Sequence, residues 1–330
     1  MININNYNIH LKYGKCTYCE NQIVFHRRHS GEFLCPQCFE KNIEKIISKT
    51  ISKYNMLKFQ DRIIVGLSGG KDSITLLYNL KMIQEKSHQP EPLIALSIDE
   101  GINDYRHHSI EVAKEFCKKY NIEHKVISFK DVTGKTLDEI ITIKKKSEEY
   151  RYACNYCALL RRRLLNDKAR DLGGNILALG HNLTDVAETF LMNILFKRFR
   201  LISNQYLMKD QSAERSKFFI KKITPLMRIP EEEVFMYVNI KKLNYYASHC
   251  PYREIDPIMR KKVLEFIQAI KKDSPEIEYN LLNGFLELSE LLYTQEEKKS
   301  FNSCINCGYP TGNNTLCNYC TFIKELELYC

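Results

Sequence analysis

The sequence predicts an α/β fold: a doubly wound parallel sheet with a small cysteine-rich ribbon at each end of the chain and a C-terminal helical segment. Three observations predict it. Between residues 62 and 195, short apolar runs alternate with amphipathic segments, which is typical of parallel strands joined by helical crossovers. Near both chain ends, cysteines occur in C-x-x-C pairs and long apolar runs are scarce. After Pro225, helix-like patterns replace the alternation.

The composition is that of a globular protein with a basic surface. Of the 330 residues, 44% are hydrophobic and 27% are charged, far from the composition of disordered chains. No apolar run approaches the ~18 residues that span a bilayer, and the Asn-rich N-terminus lacks the basic-then-apolar layout of a signal peptide. We therefore expect a soluble, cytoplasmic protein without membrane contact. The net charge of +9 suits a polyanionic partner without demonstrating one.

Each chain end carries four cysteines with the spacing of a structural zinc site. Two C-x-x-C turns can offer four thiolates to one tetrahedral ion, and in a reducing compartment such pairs favour metal over disulfides. The first set is Cys16, Cys19, Cys35 and Cys38, and the second is Cys304, Cys307, Cys317 and Cys320. The alternatives are unligated loop thiols, or His26 or His29 replacing one cysteine of the first set. We predict zinc ribbons over residues 1–42 and 301–330, each folded by one Zn²⁺ ion.

The elements between the ribbons follow from periodicity, in chain order. Apolar residues at helical spacing over 44–57 predict a helix in a linker of residues 43–60. A central domain, residues 61–250, has predicted strands at 62–67, 93–98, 123–129 and 176–179, and predicted helices at 73–83, 106–120 and 184–195. The polar stretch at 199–217 predicts a surface loop. Further helices are predicted at 231–243, 257–272 and 275–292, the last two in a helical segment of residues 251–300.

A six-residue loop, Ser68-Gly69-Gly70-Lys71-Asp72-Ser73, stands directly between a predicted strand and a predicted helix. Glycines let backbone N–H groups crowd around phosphate oxygens, and the helix N-terminus adds partial positive charge. The loop differs from the G-x-x-x-x-G-K-[ST] loop of γ-phosphate hydrolases, because only three residues separate Gly66 from Gly70 and an aspartate follows the lysine. It resembles the pyrophosphate loop (PP-loop) of ATP-dependent adenylating enzymes, which attack the α-phosphate and release pyrophosphate. The competing interpretation is a chance strand, turn and helix.

Two further segments follow predicted strands, at the edge where such a sheet forms its ligand crevice. Residues 97–102 (SIDEGI) end the second strand, where a base or ribose would be met, and residues 178–185 (ALGHNLTD) follow the strand at 176–179. The second segment is weak by itself, because Gly-His-Asn before a helix is an ordinary N-terminal turn with Thr184 as a plausible cap. Beside a phosphate loop it becomes a candidate site.

Three inner cysteines, Cys154, Cys157 and Cys250, belong to neither ribbon. A C-x-x-C pair on an α/β scaffold can be a redox dithiol, half a zinc site or two core thiols. Three thiolates can instead hold an iron–sulfur cluster with one iron open to an exogenous ligand, although clusters usually take four cysteines. The basic run at 161–163, on an amphipathic helix after the pair, would ordinarily be a solvated face.

The order of these motifs resembles that of the two-zinc-ribbon tRNA 2-thiolation enzymes of the TtuA type, in the PP-loop ATP pyrophosphatase superfamily. The resemblance covers nearly the whole chain. It rests on the first ribbon, SGGKDS, DEGI followed by Tyr105-Arg106 and Ser109, C-x-x-C with Arg161 four residues on, GHNLTD, Cys250-Pro251-Tyr252 and the second ribbon. It implies an ATP-dependent tRNA uridine 2-sulfurtransferase with a [4Fe–4S] cluster on Cys154, Cys157 and Cys250. Related cytidine enzymes share the inner motifs but usually lack the end ribbons.

The resemblance also implies roles for residues. ATP and Mg²⁺ would be held by the phosphate loop and Asp72, Arg161 would stabilise charge developing on the α-phosphate, and Asp185 would orient or deprotonate a reacting group. The implied ATP-binding set is Gly66, Leu67, Ser68, Gly69, Gly70, Lys71, Asp72, Ser73, Ile98, Gly180 and Asp185. Arg162 and Arg163 would bind tRNA. Sulfur would come from sulfide or from the thiocarboxylate of a ubiquitin-like carrier, and the enzyme would be a homodimer.

Two other function classes share part of the pattern. An ATP pyrophosphatase that transfers amide nitrogen to a small acid would carry SGGKDS but needs neither end ribbons nor three inner cysteines. A zinc-ribbon RNA binder without activity would explain the ribbons and the charge but leaves SGGKDS without a purpose. The target uridine (T-loop or wobble), the sulfur donor, and the choice between a cluster and a persulfide pair at Cys154 and Cys157 stay open from sequence.

Overall fold

A five-stranded parallel sheet forms the centre of the computed structural model, which describes residues 14–86, 91–146, 151–207, 217–252, 258–295, 302–311 and 315–327. Its strand order is β5-β4-β3-β6-β7, and all four pairings are parallel. These strands are β3 (Ile63–Gly66), β4 (Ile94–Asp99), β5 (Glu123–Ser128), β6 (Ile176–Ala178) and β7 (Lys221–Ile223). The chain builds outward from β3 through β4 and β5, then returns to the other side of β3. This reversal confirms the doubly wound prediction and opens a crevice at the carboxyl ends of the strands.

Helices cover the sheet and connect its strands. They are α1 (Pro36–Lys53), α2 (Lys71–Gln84), α3 (Arg106–Lys119), α4 (Phe129–Thr133), α5 (Leu137–Lys144), α6 (Ala153–Asp171), α7 (Leu183–Leu195), α8 (Phe199–Ser203), α9 (Glu231–Ile240), α10 (Ile258–Lys271), α11 (Ile277–Gln295) and α12 (Asn318–Glu327). Two small antiparallel hairpins, β1 (Phe25–Arg27) with β2 (Glu32–Leu34) and β8 (Asn302–Ser303) with β9 (Pro310–Thr311), carry the end ribbons. No helix in the described ranges is long and apolar enough to cross a membrane.

The linker helix begins eight residues before its predicted start. Cys35 is its N-cap, with its side chain accepting from the N–H of Cys38, and Pro36 occupies the first turn, where a missing N–H costs nothing. The second C-x-x-C turn of the first ribbon is therefore also the N-terminus of α1. The apolar pattern from residue 44 missed the first two turns of this helix, although Phe39 and Ile43 in those turns are buried in the core.

The predicted loop at 199–217 was wrong for its first residues, because Phe199–Ser203 form the short helix α8 with Ile202 and Ser203 buried. Residues 208–216 of that loop lie outside the described residues. Strand β7 and helices α4, α5 and α12 were not predicted. Strand β7 is a sheet edge with two lysines in three residues, so it lacks the apolar run of an inner strand.

Two apolar cores lie on opposite faces of the sheet, since neighbouring residues of a strand point to opposite faces. Val65 of β3 belongs to the core that α1, α2 and α9 build, whereas Ile64 faces a core shared with α6. Helix α12 of the second ribbon packs on α5 and α6 through Phe322 and Leu326. Each ribbon is thus carried by a helix that is anchored in the main body of the protein.

Candidate active site and metal centres

The first ribbon brings four thiols to one point. The sulfurs of Cys16, Cys19, Cys35 and Cys38 all lie within 4.8 Å of one another. Burial alone would raise the pKa of Cys16, but hydrogen bonds to the backbone and neighbouring thiols lower it to about 6. A group of four neighbouring thiols, two of them buried and one of lowered pKa, fits a tetrahedral Zn²⁺ site. The ribbon is fixed to α9 by the buried ion pair of Arg27 with Glu233, at 2.6 Å.

The second ribbon repeats this arrangement. The sulfurs of Cys304, Cys307, Cys317 and Cys320 also lie within 4.8 Å of one another, and hydrogen bonds to the backbone lower the pKa of Cys304 to about 6 against the effect of burial. In both ribbons the last backbone N–H of a C-x-x-C turn points at a thiol sulfur, from Cys38 to Cys35 and from Cys320 to Cys317. Both ribbons therefore fit one Zn²⁺ each.

Replacing Cys16 with serine is expected to lower the zinc content from about two ions per chain to about one and to lower the Tm, because metal supplies the folding energy of a ribbon with so small a core. Metal analysis of protein purified without air, with a thermal melt, measures both. Cys117→Ser is the matched control: Cys117 is a buried thiol of α3 outside both ribbons, and its pKa is raised to about 12 by burial. Full zinc content in Cys16→Ser would contradict the assignment.

The phosphate loop is held from outside by backbone contacts. Gly69 has a φ of +84°, and a side chain there would overlap the carbonyl of Ser109 on α3. The N–H of Tyr246 donates to the Gly69 carbonyl at 2.9 Å, and the Arg106 guanidinium donates to the Ser68 carbonyl at 2.8 Å. No side chain caps α2, whose N-cap is Gly70. The N–H groups of its first turn therefore have no side-chain cap, an arrangement that can bind an anion such as phosphate.

Lys71 and Asp72 stand at the mouth of this loop as a charged pair. Lys71 Nζ lies 2.9 Å from Asp72 Oδ2 and 2.8 Å from Glu231 Oε1 at the start of α9. Burial opposes its charge, but the two carboxylates raise the pKa of Lys71 above its usual value, so it remains a cation. Burial raises the pKa of Asp72 above its usual value, and the charge of Asp185 raises it further. The ammonium group of Lys71 acts in the opposite direction and lowers it. The carboxylates of Asp72 and Asp185 lie near each other beside the phosphate loop. Carboxylate oxygens are the hard ligands that Mg²⁺ prefers.

The segment at 178–185 closes on the phosphate loop. A Cβ at Gly180 would lie 3.0 Å from the carbonyl carbon of Asp72, so the two loops are in close contact. Asn182 caps α7 and forms a capping box with Asp185, and its amide donates to Asp72 Oδ1 at 2.9 Å. The expected cap, Thr184, instead donates to Glu278 at 2.7 Å. Asn182 is the cap because α7 begins at Leu183: its Oδ1 accepts from the N–H of Asp185, and its amide nitrogen remains available to Asp72.

The inner thiols lie at the N-terminus of α6 and in the chain after α9. The charges of Cys154 and Cys250 both act on Cys157, whose pKa is raised to about 12 by burial in spite of Arg161 nearby. Unlike the ribbon thiols, the three do not all come within 4.8 Å of one another in the described part of the chain. Three cysteine thiols are a donor set that fits a [4Fe–4S] cluster with one iron open to another ligand.

Three arginine side chains act on His181, which follows Gly180 in the segment that contacts the phosphate loop. Arg161 and Arg162 come from α6, His181 follows β6, and Arg260 comes from α10. Burial lowers the pKa of His181, and the three arginines lower it further. The carboxylate of Asp185 acts in the opposite direction and raises it. Arg260 Nη2 lies 2.7 Å from Glu188 Oε2 and 3.3 Å from Asp185 Oδ1. The concentration of positive charge suits a polyphosphate or RNA backbone.

Arg163 is engaged differently from Arg162. Its guanidinium lies 3.9 Å above the ring of Tyr309, pairs with Asp167, and has Nη1 3.8 Å from the sulfur of Cys307. It therefore binds the second ribbon to α6, and a direct contact with tRNA stays a prediction. Within the described ranges no carboxylate pairs with Arg162, whose pKa is lowered by burial and by Arg161 and Arg260.

Sequence reasoning missed Glu231 and Arg260 and gave Glu100 no role. Glu231 is one of three glutamates in the first turn of α9, an ordinary place for acidic residues. Arg260 stands in an amphipathic helix with other basic residues. Neither has a local signal, because each meets its partner across more than 70 residues of chain.

Comparisons with known proteins agree with this geometry. A family model described as a PP-loop domain matches residues 37–253. A probable sulfurtransferase of Methanocaldococcus jannaschii is 34% identical over 311 residues, covering 94% of this chain and 87% of the relative. The tRNA 2-thiolation protein NcsA of Haloferax volcanii is 30% identical over 325 residues, covering 95% and 99%. The solved U34-tRNA thiolase NcsA of Methanococcus maripaludis, with its [4Fe–4S] cluster, superposes with a TM-score of 0.80 at 31% identity over 96% of this chain and 97% of that one.

Proposed function

The chain belongs to the PP-loop family, among relatives that are tRNA 2-thiolation proteins, and on this premise we propose that it is an ATP-dependent tRNA uridine 2-sulfurtransferase. It is an enzyme of tRNA thiolation. The observation that supports the finer proposal is a series of contacts running from the phosphate loop toward the inner thiols. Arg106 donates to the Ser68 carbonyl and pairs with Glu100, and Glu100 pairs with Arg161, which lies near Cys157 and Cys154. Neither a small-acid amidotransferase nor a passive RNA binder needs that combination.

The first step joins ATP to the base. The C2 oxygen of a uridine is a poor leaving group and has to be activated. It attacks the α-phosphate of ATP while the N3 proton passes to Asp185, the bond from that phosphorus to pyrophosphate breaks, and pyrophosphate leaves. The N–H groups of the phosphate loop bind the departing phosphates, and Asp72 with Asp185 beside it would hold Mg²⁺, which neutralises phosphate charge. Arg161 stabilises charge developing on the α-phosphate. Ile98 and Gly180 border the nucleotide at the strand ends.

The second step replaces oxygen with sulfur. A sulfur nucleophile attacks C2, and AMP leaves with the original oxygen. Cys154, Cys157 and Cys250 would hold the [4Fe–4S] cluster, which presents sulfur through its open iron when bound. The arginines of the crevice keep the anionic tRNA and the leaving AMP in place. The solved relative is a U34-tRNA thiolase, which supports the wobble uridine as the target. A homodimer and a sulfide or thiocarboxylate donor complete the proposal.

The test is pyrophosphate release from ATP with and without tRNA, followed by mapping of the thionucleoside. Wild-type protein should release pyrophosphate only with tRNA, and a transcript with cytidine in place of the wobble uridine should lose both release and thiolation. A transcript with the T-loop uridine replaced is the matched RNA control. Equal release without tRNA would point to a small-molecule substrate and contradict the proposal.

Arg162→Ala is expected to weaken tRNA binding and to make its salt dependence shallower. Each phosphate that a cation neutralises contributes roughly 0.7–0.9 to the slope of log affinity against log salt, so loss of one contact should reduce the slope by about that much. Titrations at several salt concentrations measure it. Arg170→Ala, an exposed arginine near the end of the same helix, is the control. An unchanged slope for Arg162→Ala would contradict a phosphate contact there.

A further inference from the structure

A buried carboxylate, that of Glu100, lies between two guanidinium groups at the carboxyl end of β4. Its side chain is 6% exposed; Oε2 lies 2.7 Å from Nε of Arg106, and Oε1 lies 3.5 Å from Nη1 of Arg161. Removing a carboxylate from water is costly unless cations surround it. The position of Glu100 therefore has to be explained by what it does for its two arginines.

Arg106 forms an ion pair with Glu100, but its N–H groups donate hydrogen bonds to other acceptors. Its Nε donates to the Ile98 carbonyl at 2.7 Å, and its Nη1 donates to the Ser68 carbonyl and to the Ser109 hydroxyl. Glu100 Oε2 consequently accepts no hydrogen bond from any described group, although it is buried. Arg106 is thus fixed by backbone carbonyls, and one of these belongs to the phosphate loop.

Arg161 is the most exposed member of the group. It stands one helical turn after Cys157 on α6, and its side chain is 49% exposed. A long half-exposed side chain loses conformational entropy when it is held in one place. Among the described residues, Glu100 is the carboxylate that pairs with it, and this carboxylate is fixed against Arg106.

We propose that Glu100 is a positioning residue that holds Arg161 between the phosphate loop and the inner thiols, using Arg106 as the rigid support. The proposal rests on the proposed function, because Arg161 has to meet the α-phosphate where the sulfur arrives. Arg106 ties Glu100 to the loop that binds ATP, and Glu100 ties Arg161 to Arg106. The two halves of the reaction thereby share one chain of charged contacts. The competing role is purely structural: Glu100 would only neutralise Arg106.

The test is a double-mutant cycle of Glu100→Gln and Arg161→Ala, with tRNA-dependent pyrophosphate release and, in cluster-free protein, the Kd of α,β-methylene ATP as readouts. Glu100→Gln should lower kcat between about 10-fold and 100-fold, because a small displacement of a group that stabilises the transition state costs roughly that much, with a smaller change in the KM for ATP. The double variant should be no slower than Arg161→Ala alone, because Glu100 acts only through Arg161. Glu100→Asp should fall between wild type and Glu100→Gln.

Two controls keep the outcomes distinct. Glu115→Gln removes the same charge from the exposed face of α3 and should match wild type in both readouts. Thermal melts show whether each variant is folded, and Glu100→Asp retains the charge if Glu100→Gln does not fold. The proposal is overturned if the losses of kcat in the two single variants multiply in the double variant, or if Glu100→Gln and Glu100→Asp equal wild type. Absence of tRNA-dependent pyrophosphate release in wild type would overturn the proposed function, whereas the Kd cycle would still report the Glu100–Arg161 coupling.

Discussion

Asp72→Ala is expected to reduce tRNA-dependent pyrophosphate release to below about one hundredth of the wild-type rate. Loss of a single group that stabilises transition-state charge typically costs about a hundredfold to a thousandfold. Asp72 contacts Lys71 at 2.9 Å and Asn182 at 2.9 Å, and it has Asp185 beside it. Its loss would remove the proposed metal ligand and one of the two carboxylates that hold Lys71. Both effects fall on the adenylation step.

The measurement is a pyrophosphate assay with saturating tRNA, together with a thermal melt to show that the variant is folded. Asp72→Asn preserves the size of the side chain and should be nearly as inactive, because the charge is what the metal and Lys71 require. Asp171→Ala, at the exposed end of α6, is the control and should behave as wild type. A rate within about threefold of wild type in Asp72→Ala would remove Asp72 from the ATP site.

Serine at any one of Cys154, Cys157 and Cys250 is expected to abolish thiolation while tRNA-dependent pyrophosphate release continues. Three thiolates are fewer than the four that clusters usually take, so loss of one leaves too few ligands to retain iron. The phosphate loop is built by β3, α2 and α3 and does not use these thiols. Adenylated tRNA should therefore still form, and the block should come at sulfur transfer.

Three quantities separate the interpretations: thionucleoside in tRNA, iron content of protein prepared without air, and pyrophosphate release. Wild-type protein should lose iron and thiolation on exposure to air, as an exposed iron is oxidised and released. Cys117→Ser is again the control, because Cys117 is buried in α3 away from the crevice. If Cys250→Ser kept iron and full activity, a persulfide pair at Cys154 and Cys157 would replace the cluster.

The site is assembled from distant parts of the chain. Glu231 from α9 holds Lys71, Arg260 from α10 reaches Asp185, and Tyr246 donates to the phosphate loop. The helices after β7 therefore complete the crevice that the sheet begins. A variant in this region can alter ATP binding without touching any of the motifs that identify the family.

The sequence by itself determined the features that are built by residues close together in the chain. Cysteine spacing identified both four-thiol groups, because two C-x-x-C turns need few other residues to bring sulfurs together. The loop of residues 68–73 could be recognised as a PP-loop from sequence, because glycines between a strand and a helix N-terminus can bind an anion with backbone N–H groups alone. The alternation of strands and helices predicted the parallel sheet, because the spacing of apolar residues within each element shows which of its faces is buried.

Only the tertiary structure decided how generic charged residues pair. Glutamates and arginines are mostly exposed in proteins, so nothing in the letters marked Glu100 as buried or separated the role of Arg162 from that of Arg163. Local preference made Thr184 a reasonable cap, but the cap of α7 is Asn182, whose amide also reaches Asp72. The physical reason is the same in each case: a buried charge or amide is stabilised by partners far away in the chain, and the fold alone fixes which partners those are.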